Sequence, residues 1–116
     1  RAFNGALAAA QRVAPVFSQR VALIRVNTPF QVHPVLAQVW RGRLANHVVM
    51  VANEGYLPGW VSFSLRTDLD ISLLDFMAAF RGSLDATEFG YGHDKATGGR
   101  LSPEEWKRFL ATLGFR

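Results

Sequence analysis

Cysteine is absent from the 116 residues, which excludes a disulfide scaffold, a thiolate metal site and cysteine nucleophilic catalysis. Long hydrophobic runs are absent too. Nothing approaches the roughly 20 apolar residues that span a bilayer. In RAFNGALAAAQRVAPVF, Gln11 and Arg12 interrupt the one stretch with a loose likeness to a signal-peptide core. Acid is scarce in the first half, where Glu54 faces seven arginines (Arg1, Arg12, Arg20, Arg25, Arg41, Arg43 and Arg66); residues 67–116 carry six basic and eight acidic residues. The three histidines, His33, His47 and His93, lie neither three nor four residues from one another or from a carboxylate, so no preformed ligand pair exists. Only the adjacent His93 and Asp94 hint at a metal, and no metal-ligating residue is assigned. A Gly-x-Ser-x-Gly elbow and a Walker loop are also missing, so no catalytic residue is assigned either.

What is present suits a globular domain. An apolar content of 49% with 19% charged residues excludes disorder, and the length suits one domain whose core needs no covalent staple. The expectation is a soluble, cytoplasmic domain with no membrane partner. The chain opens on Arg1 rather than Met, as a piece of a longer protein would. Eleven of the thirteen basic residues are arginine, whose planar fork matches phosphate. Two readings of that excess stand side by side: polyanion binding, or a solvated arginine-rich surface.

Periodicity orders the elements. Phe3, Leu7, Ala10, Val13, Ala14 and Phe17 draw a helical stripe that Pro15 ends near Ala14, so residues 1–18 read as a connector helix from a missing upstream lobe and residues 19–116 as the domain proper. Val21–Val26 and Val48–Asn53 are apolar, β-branched strands. Between them a helix runs from His33–Pro34 to about Asn46, with His33 as its cap, and strand–helix–strand implies a parallel pair. Trp60–Arg66 alternates: Val61, Phe63 and Leu65 face the core, while Trp60, Ser62, Ser64 and Arg66 share the other face. Asp68 reads as the N-cap of a helix over 69–81 closed by Gly82. A short strand follows over 96–101, and Ser102, Pro103 and Glu105 form a capping box for a last helix with Trp106, Phe109, Leu110 and Leu113 inward. The fold class is α/β: a single compact domain with a mixed sheet of about four strands and helices packed on it.

GYGHDKATGGR, from Gly90 to Arg100, is the densest chemical candidate. Its glycines let a backbone approach a ligand closely, and consecutive N–H groups could form an anion nest beside His93, Lys95 and Arg100. A plain connector between a helix and an edge strand is the competing reading.

Three blocks, in order, resemble the DHHA1 domain, the C-terminal lobe of DHH-superfamily phosphoesterases. These include the RecJ single-strand exonucleases and the oligoribonucleotide and cyclic-dinucleotide phosphodiesterases. VHPVLAQVWRGRLA (32–45) is similar to the family's His-Pro-led helix, WVSFSLRT (60–67) to its Ser-x-Arg-Ser strand, and FGYGHDKATGG (89–99) to its Phe-Gly-Gly-His-x-x-Ala-Ala-Gly loop. Tyr91, Thr97 and Thr67 depart from the pattern. The resemblance implies a substrate-binding domain that is not catalytic by itself. Ser64, Arg66, Gly92, His93, Lys95, Gly98 and Gly99 would hold the phosphates of single-stranded nucleic acid or a short oligonucleotide, with Trp60 and Tyr91 stacking on bases. It also implies Mn2+ or Mg2+ on an upstream DHH catalytic lobe, with no cofactor in this chain, and is compatible with a homodimer. The alternatives are an RNA- or tRNA-binding module, since alanyl-tRNA synthetases carry related domains, and an interaction or dimerisation domain.

Overall fold

A computed structural model describes residues 2–81, 91–93 and 95–115. The element order is α1 (Ala2–Ala10), β1 (Val16–Ser18), β2 (Val21–Val26), α2 (His33–Arg43), β3 (Val48–Asn53), β4 (Val61–Thr67), α3 (Leu73–Arg81), β5 (Tyr91–His93), β6 (Ala96–Leu101) and α4 (Pro103–Leu113). The strands make one mixed sheet in the order β1-β2-β3-β4-β6-β5. Among the described strands only β2 and β3 run parallel, on either side of the α2 crossover, and every other pairing is antiparallel. The α/β class and the four strands expected from the sequence are present. The other two, β1 and β5, are three-residue edge strands, too short for alternation to show in composition.

The alternation of the strands divides the core in two. Val48, Met50 and Ala52 of β3 join Val61, Phe63 and Leu65 of β4 under α3 and α4, where Leu73, Met77, Trp106, Phe109, Leu110 and Leu113 close the cluster. Phe63 is its centre, with its ring 6.0 Å from Trp106 and 6.1 Å from Phe109. On the opposite face Ile24, Val26, Val49 and Val51 pack beneath Val32, which precedes α2, Leu36 and Ala37 of α2 and Ala10 of α1. All six β3 residues are buried, as its unbroken apolar run requires.

Several boundaries move. The expected helix over 1–18 stops at Ala10, and its tail returns as β1, paired with β2. Phe3, Ala6, Leu7 and Val13 pack on the second cluster. The helix expected over 69–81 begins at Leu73, because Ser72 rather than Asp68 caps it: Ser72 Oγ accepts from the Asp75 N–H at 3.2 Å. Asp68 instead pairs with Arg41 at 3.4 Å. Gly82, the expected stop, lies outside the described residues. The capping box at Ser102 is formed as read, and Gly114 ends α4 at φ 95°.

Asn53, fully buried at the end of β3, holds two loops at once. Its Oδ1 accepts from the N–H groups of Thr28 and Gly55 at 3.1 and 3.0 Å, and its Nδ2 donates to the Phe30 carbonyl at 2.9 Å. These loops lead into α2 and toward β4. Asn53→Ala strands two N–H groups and a carbonyl, so a loss of about 2–4 kcal/mol is expected in urea unfolding; a loss below about 0.5 kcal/mol would show that water replaces the clamp.

Candidate functional site

The antiparallel register of β4 with β6 sets Arg66 opposite Ala96, Ser64 opposite Gly98 and Ser62 opposite Arg100. These rows share the α2 side of the sheet, where α2 packs over β3 and β4. An open cleft of about 400 Å³ is left over β4 and β6, with Gln31, His33 and Pro34 at the start of α2 and Tyr56 and Leu57 as its wall. Gly98 is required by the strand pairing: a Cβ there would lie 2.7 Å from the Phe63 carbonyl oxygen. The smoothness of the cleft floor at this point is therefore a consequence of the sheet.

Arg66 is the electrostatic anomaly. Its Nε is buried without a partner, and its Nη1 makes one long bond, 3.4 Å, to Gln38 Oε1. Burial, and then the neighbouring charge of Arg41, push the guanidinium below its ordinary pKa. Among the described residues no carboxylate lies within ion-pair distance of Arg66, whereas Arg41 has Asp68. A half-buried cation beside a second cation is stabilised by an anion placed between or above them. Ser62 Oγ, buried and unpartnered, and Ser64 continue the row with hydroxyl groups.

The glycine-rich loop enters through backbone register. β5 pairs with β6 so that His93 lies opposite Ala96 and Tyr91 opposite Gly98. Arg66, Ala96 and His93 thus form one cross-strand row, and Ser64, Gly98 and Tyr91 the next. The strand and loop blocks that are far apart in sequence meet here, with Gly92 between the two rows and Gly99 on the cleft lining. Gly90 and Asp94 lie outside the described residues.

Two expected ligand residues are placed elsewhere. Lys95 Nζ donates to the carbonyls of Leu69, at 2.5 Å, and Ile71, at 2.9 Å, tying the segment before α3 to the β5–β6 turn. It is not among the residues lining the cleft. Trp60 precedes β4 and lines a separate hollow with Arg25, Gly59 and Lys107, its ring covered by Arg100 with Cζ 4.4 Å from the centroid.

The sequence blocks assigned no ligand role to His33 or Tyr56, and both line the cleft. His33 is not the cap of α2: Val32 holds that position and no side chain caps the helix. The His33 ring is 5% exposed, lies 5.5 Å from Tyr56 and has a buried Nδ1 with no partner. Burial lowers its pKa from 6.5 to about 4, so the wall is neutral at physiological pH. No sequence signal marks Tyr56, whereas Arg100, also on the lining, was legible as a donor at the end of the glycine loop.

The sign of the His33 shift gives a pH dependence. Between about pH 6.5 and 4 the unfolded chain binds a proton at this site that the folded chain refuses, so this contribution to stability is full above 6.5 and is lost as pH falls toward 4. The difference in melting temperature between the wild type and His33→Gln is expected to move against the wild type across that window. Parallel profiles for the two proteins would show that His33 does not titrate in this way.

No protein-family model matches the chain, and no curated protein matches it. Solved structures do. The C-Ala domain of Aquifex aeolicus alanyl-tRNA synthetase aligns at TM-score 0.60 and 18% identity, over 85% of this chain and 93% of that one. RecJ from Thermus thermophilus, in complex with Mg2+, aligns at TM-score 0.62 and 16% identity over 96% of this chain. PggH, a pGpG-specific phosphodiesterase from Vibrio cholerae, aligns at 0.55 and 11% over 97%. The chain spans 16% of the RecJ structure and 36% of PggH. What these alignments share is architecture, and the chain has the DHHA1-like fold that its three sequence blocks suggested.

Proposed function

We propose that this chain is the substrate-binding domain of a DHH-type phosphodiesterase, and that its cleft holds a backbone phosphate of single-stranded nucleic acid or a short oligonucleotide. The observation that carries the reading is Arg66: a desolvated guanidinium beside Arg41, without a carboxylate among the described residues, on a floor shared with Ser62 and Ser64. A phosphate there would take charge-assisted bonds from the guanidinium and hydroxyl donors from the serines. His93, Gly92 and Gly99 would approach it from the adjoining strands, and Tyr91 lies in the row of Ser64. RecJ and a phosphodiesterase among the structural neighbours support the substrate class.

Hydrolysis on this reading belongs to a separate DHH lobe. On this reading Mn2+ or Mg2+ belongs to that lobe; among the described residues no group of three or more His, Asp or Glu side chains could hold a metal. This chain's part is to bind and orient. A cytoplasmic location goes with the proposal; among the described residues no helix is long and apolar enough to cross a membrane. The likeness to C-Ala over 93% of that domain favours a second reading, an RNA-binding module without a catalytic partner. An upstream Asp-His-His block in the parent gene would support the first and a synthetase core the second.

Fluorescence anisotropy with a labelled short single strand tests the binding. A Kd of about 10⁻⁴ to 10⁻⁶ M that weakens with salt is expected. Arg66→Ala should weaken it roughly tenfold to a hundredfold, and Arg66→Lys should recover part of the loss, since the charge remains without the fork. Salt-independent affinity, or a folded Arg66→Ala chain that binds as the wild type does, would sink the phosphate reading.

A further inference from the structure

Two side-chain pairs lie in file where α2 crosses the end of β4. Arg66 Nη1 donates to Gln38 Oε1 at 3.4 Å, and Arg41 Nε lies 3.4 Å from Asp68 Oδ1. Gln38 and Arg41 are three positions apart on α2 and share a face of that helix. Arg66 and Asp68 are two positions apart at the end of β4, and both reach this face. Burial, and after it the charge of Arg41, lower the Arg66 pKa, so the two pairs are electrostatic neighbours. A carboxylate thus stands two residues from the guanidinium of the cleft and is paired with a different one.

The backbone leaves that choice to the Asp68 side chain. Thr67, 1% exposed, donates its hydroxyl to the His47 carbonyl and accepts from the Leu69 N–H, both at 3.0 Å, which pins the chain on either side of Asp68. Lys95 is committed to the carbonyls of Leu69 and Ile71. An ion pair this long, with an Asp68 side chain 49% exposed, contributes little to stability. Its effect lies in what it prevents. A carboxylate on Arg66 would occupy the same fork of donors that a ligand anion needs.

We infer that Arg41 is a positioning residue of the cleft: it sequesters Asp68, the chain's own competing anion, and so keeps the Arg66 fork free for a ligand. The inference rests on the phosphate reading of the cleft and adds the pair that sets its affinity. Arg41 is not among the residues lining the cleft, so it acts through Asp68 rather than by touching the ligand. Without Arg41, Asp68 turns to Arg66 and competes with phosphate at the high effective concentration of a tethered group. Without Asp68, Arg41 adds an uncompensated charge beside the cleft.

Inorganic phosphate is titrated into the full chain while the Arg66 Nε–H resonance, assigned by its loss in Arg66→Lys, is followed in nitrogen–proton correlation spectra. Phosphate is expected to shift that resonance in the wild type. Arg41→Gln should shift it before any phosphate is added, as Asp68 pairs with Arg66, and should weaken phosphate roughly fivefold. Asp68→Asn should keep the resonance near its wild-type position and bind phosphate at least as tightly. The double variant Arg41→Gln/Asp68→Asn should regain the resonance and most of the lost affinity, and Arg41→Lys, which keeps the charge that holds Asp68, should stay within about twofold of the wild type.

An Arg41→Gln chain with the wild-type resonance and affinity overturns the inference. Equal weakening in Arg41→Gln and in the double variant does so too, since Arg41 would then act by its own charge. If Arg41→Gln does not fold, Asp68→Asn decides: weaker phosphate binding there overturns the sequestration, and equal or tighter binding supports it. A wild-type resonance that phosphate does not move overturns the phosphate reading, while the phosphate-free comparison of Arg41→Gln with the double variant still decides whether Arg41 holds Asp68 away from Arg66.

Discussion

The register of β4 is the constraint from which the rest follows. One strand supplies Val61, Phe63 and Leu65 to the larger core cluster and Ser62, Ser64 and Arg66 to the cleft. A slip of one residue against β3 or β6 would put a guanidinium against Trp106 and a phenyl ring on the cleft floor. Burial of Phe63 among Trp106 and Phe109 therefore selects the face on which Arg66 emerges. Core packing and site geometry are here one choice, because the side-chain period of a strand is two.

The second support is polar. Asn53 ends β3 in the row of Ser62, and it fastens the loop entering α2 and the loop leading to β4 through one side chain. His33 and Tyr56, the cleft wall, hang from those two loops. An open cleft thus has a wall whose positions are set by a buried amide rather than by packing, while its floor is sheet. Arg66 stays under-neutralised between them, a cost the two large apolar clusters offset.

Most of the frame was legible because the strands announce themselves. VALIRV and VVMVAN are β-branched runs, WVSFSLR alternates, and Ser102-Pro103-Glu104-Glu105 spells a helix start whose hydrogen bonds form as read. The errors share a physical reason, which is competition between partners that local sequence cannot rank. Asp68 looked like a cap until Arg41 offered it a charge from another helix, and Ser72 took the role. Phe17 looked like the end of a helical stripe, yet it lies in an edge strand because β2 presents open hydrogen-bonding groups there. In the site, Arg66 and Ser64 were readable from alternation. Tyr56 was not, since its place beside His33 depends on a loop that only Asn53 defines.

Ser18 Oγ donates to the carbonyl of Leu113 at 2.6 Å, and a Cβ on Gly114 would meet that same hydroxyl. Ser18 and Leu113 are 95 positions apart, so β1 can pair with β2 early but cannot be locked until the last helix has been made. On a ribosome, β2, α2 and β3 emerge as a local parallel unit while the exposed edge beside them waits for the end of α4. The ring of contacts closes through a hydroxyl and a residue with no side chain, and a nascent chain stopped just short of Leu113 would leave that edge open to pairing with a neighbour.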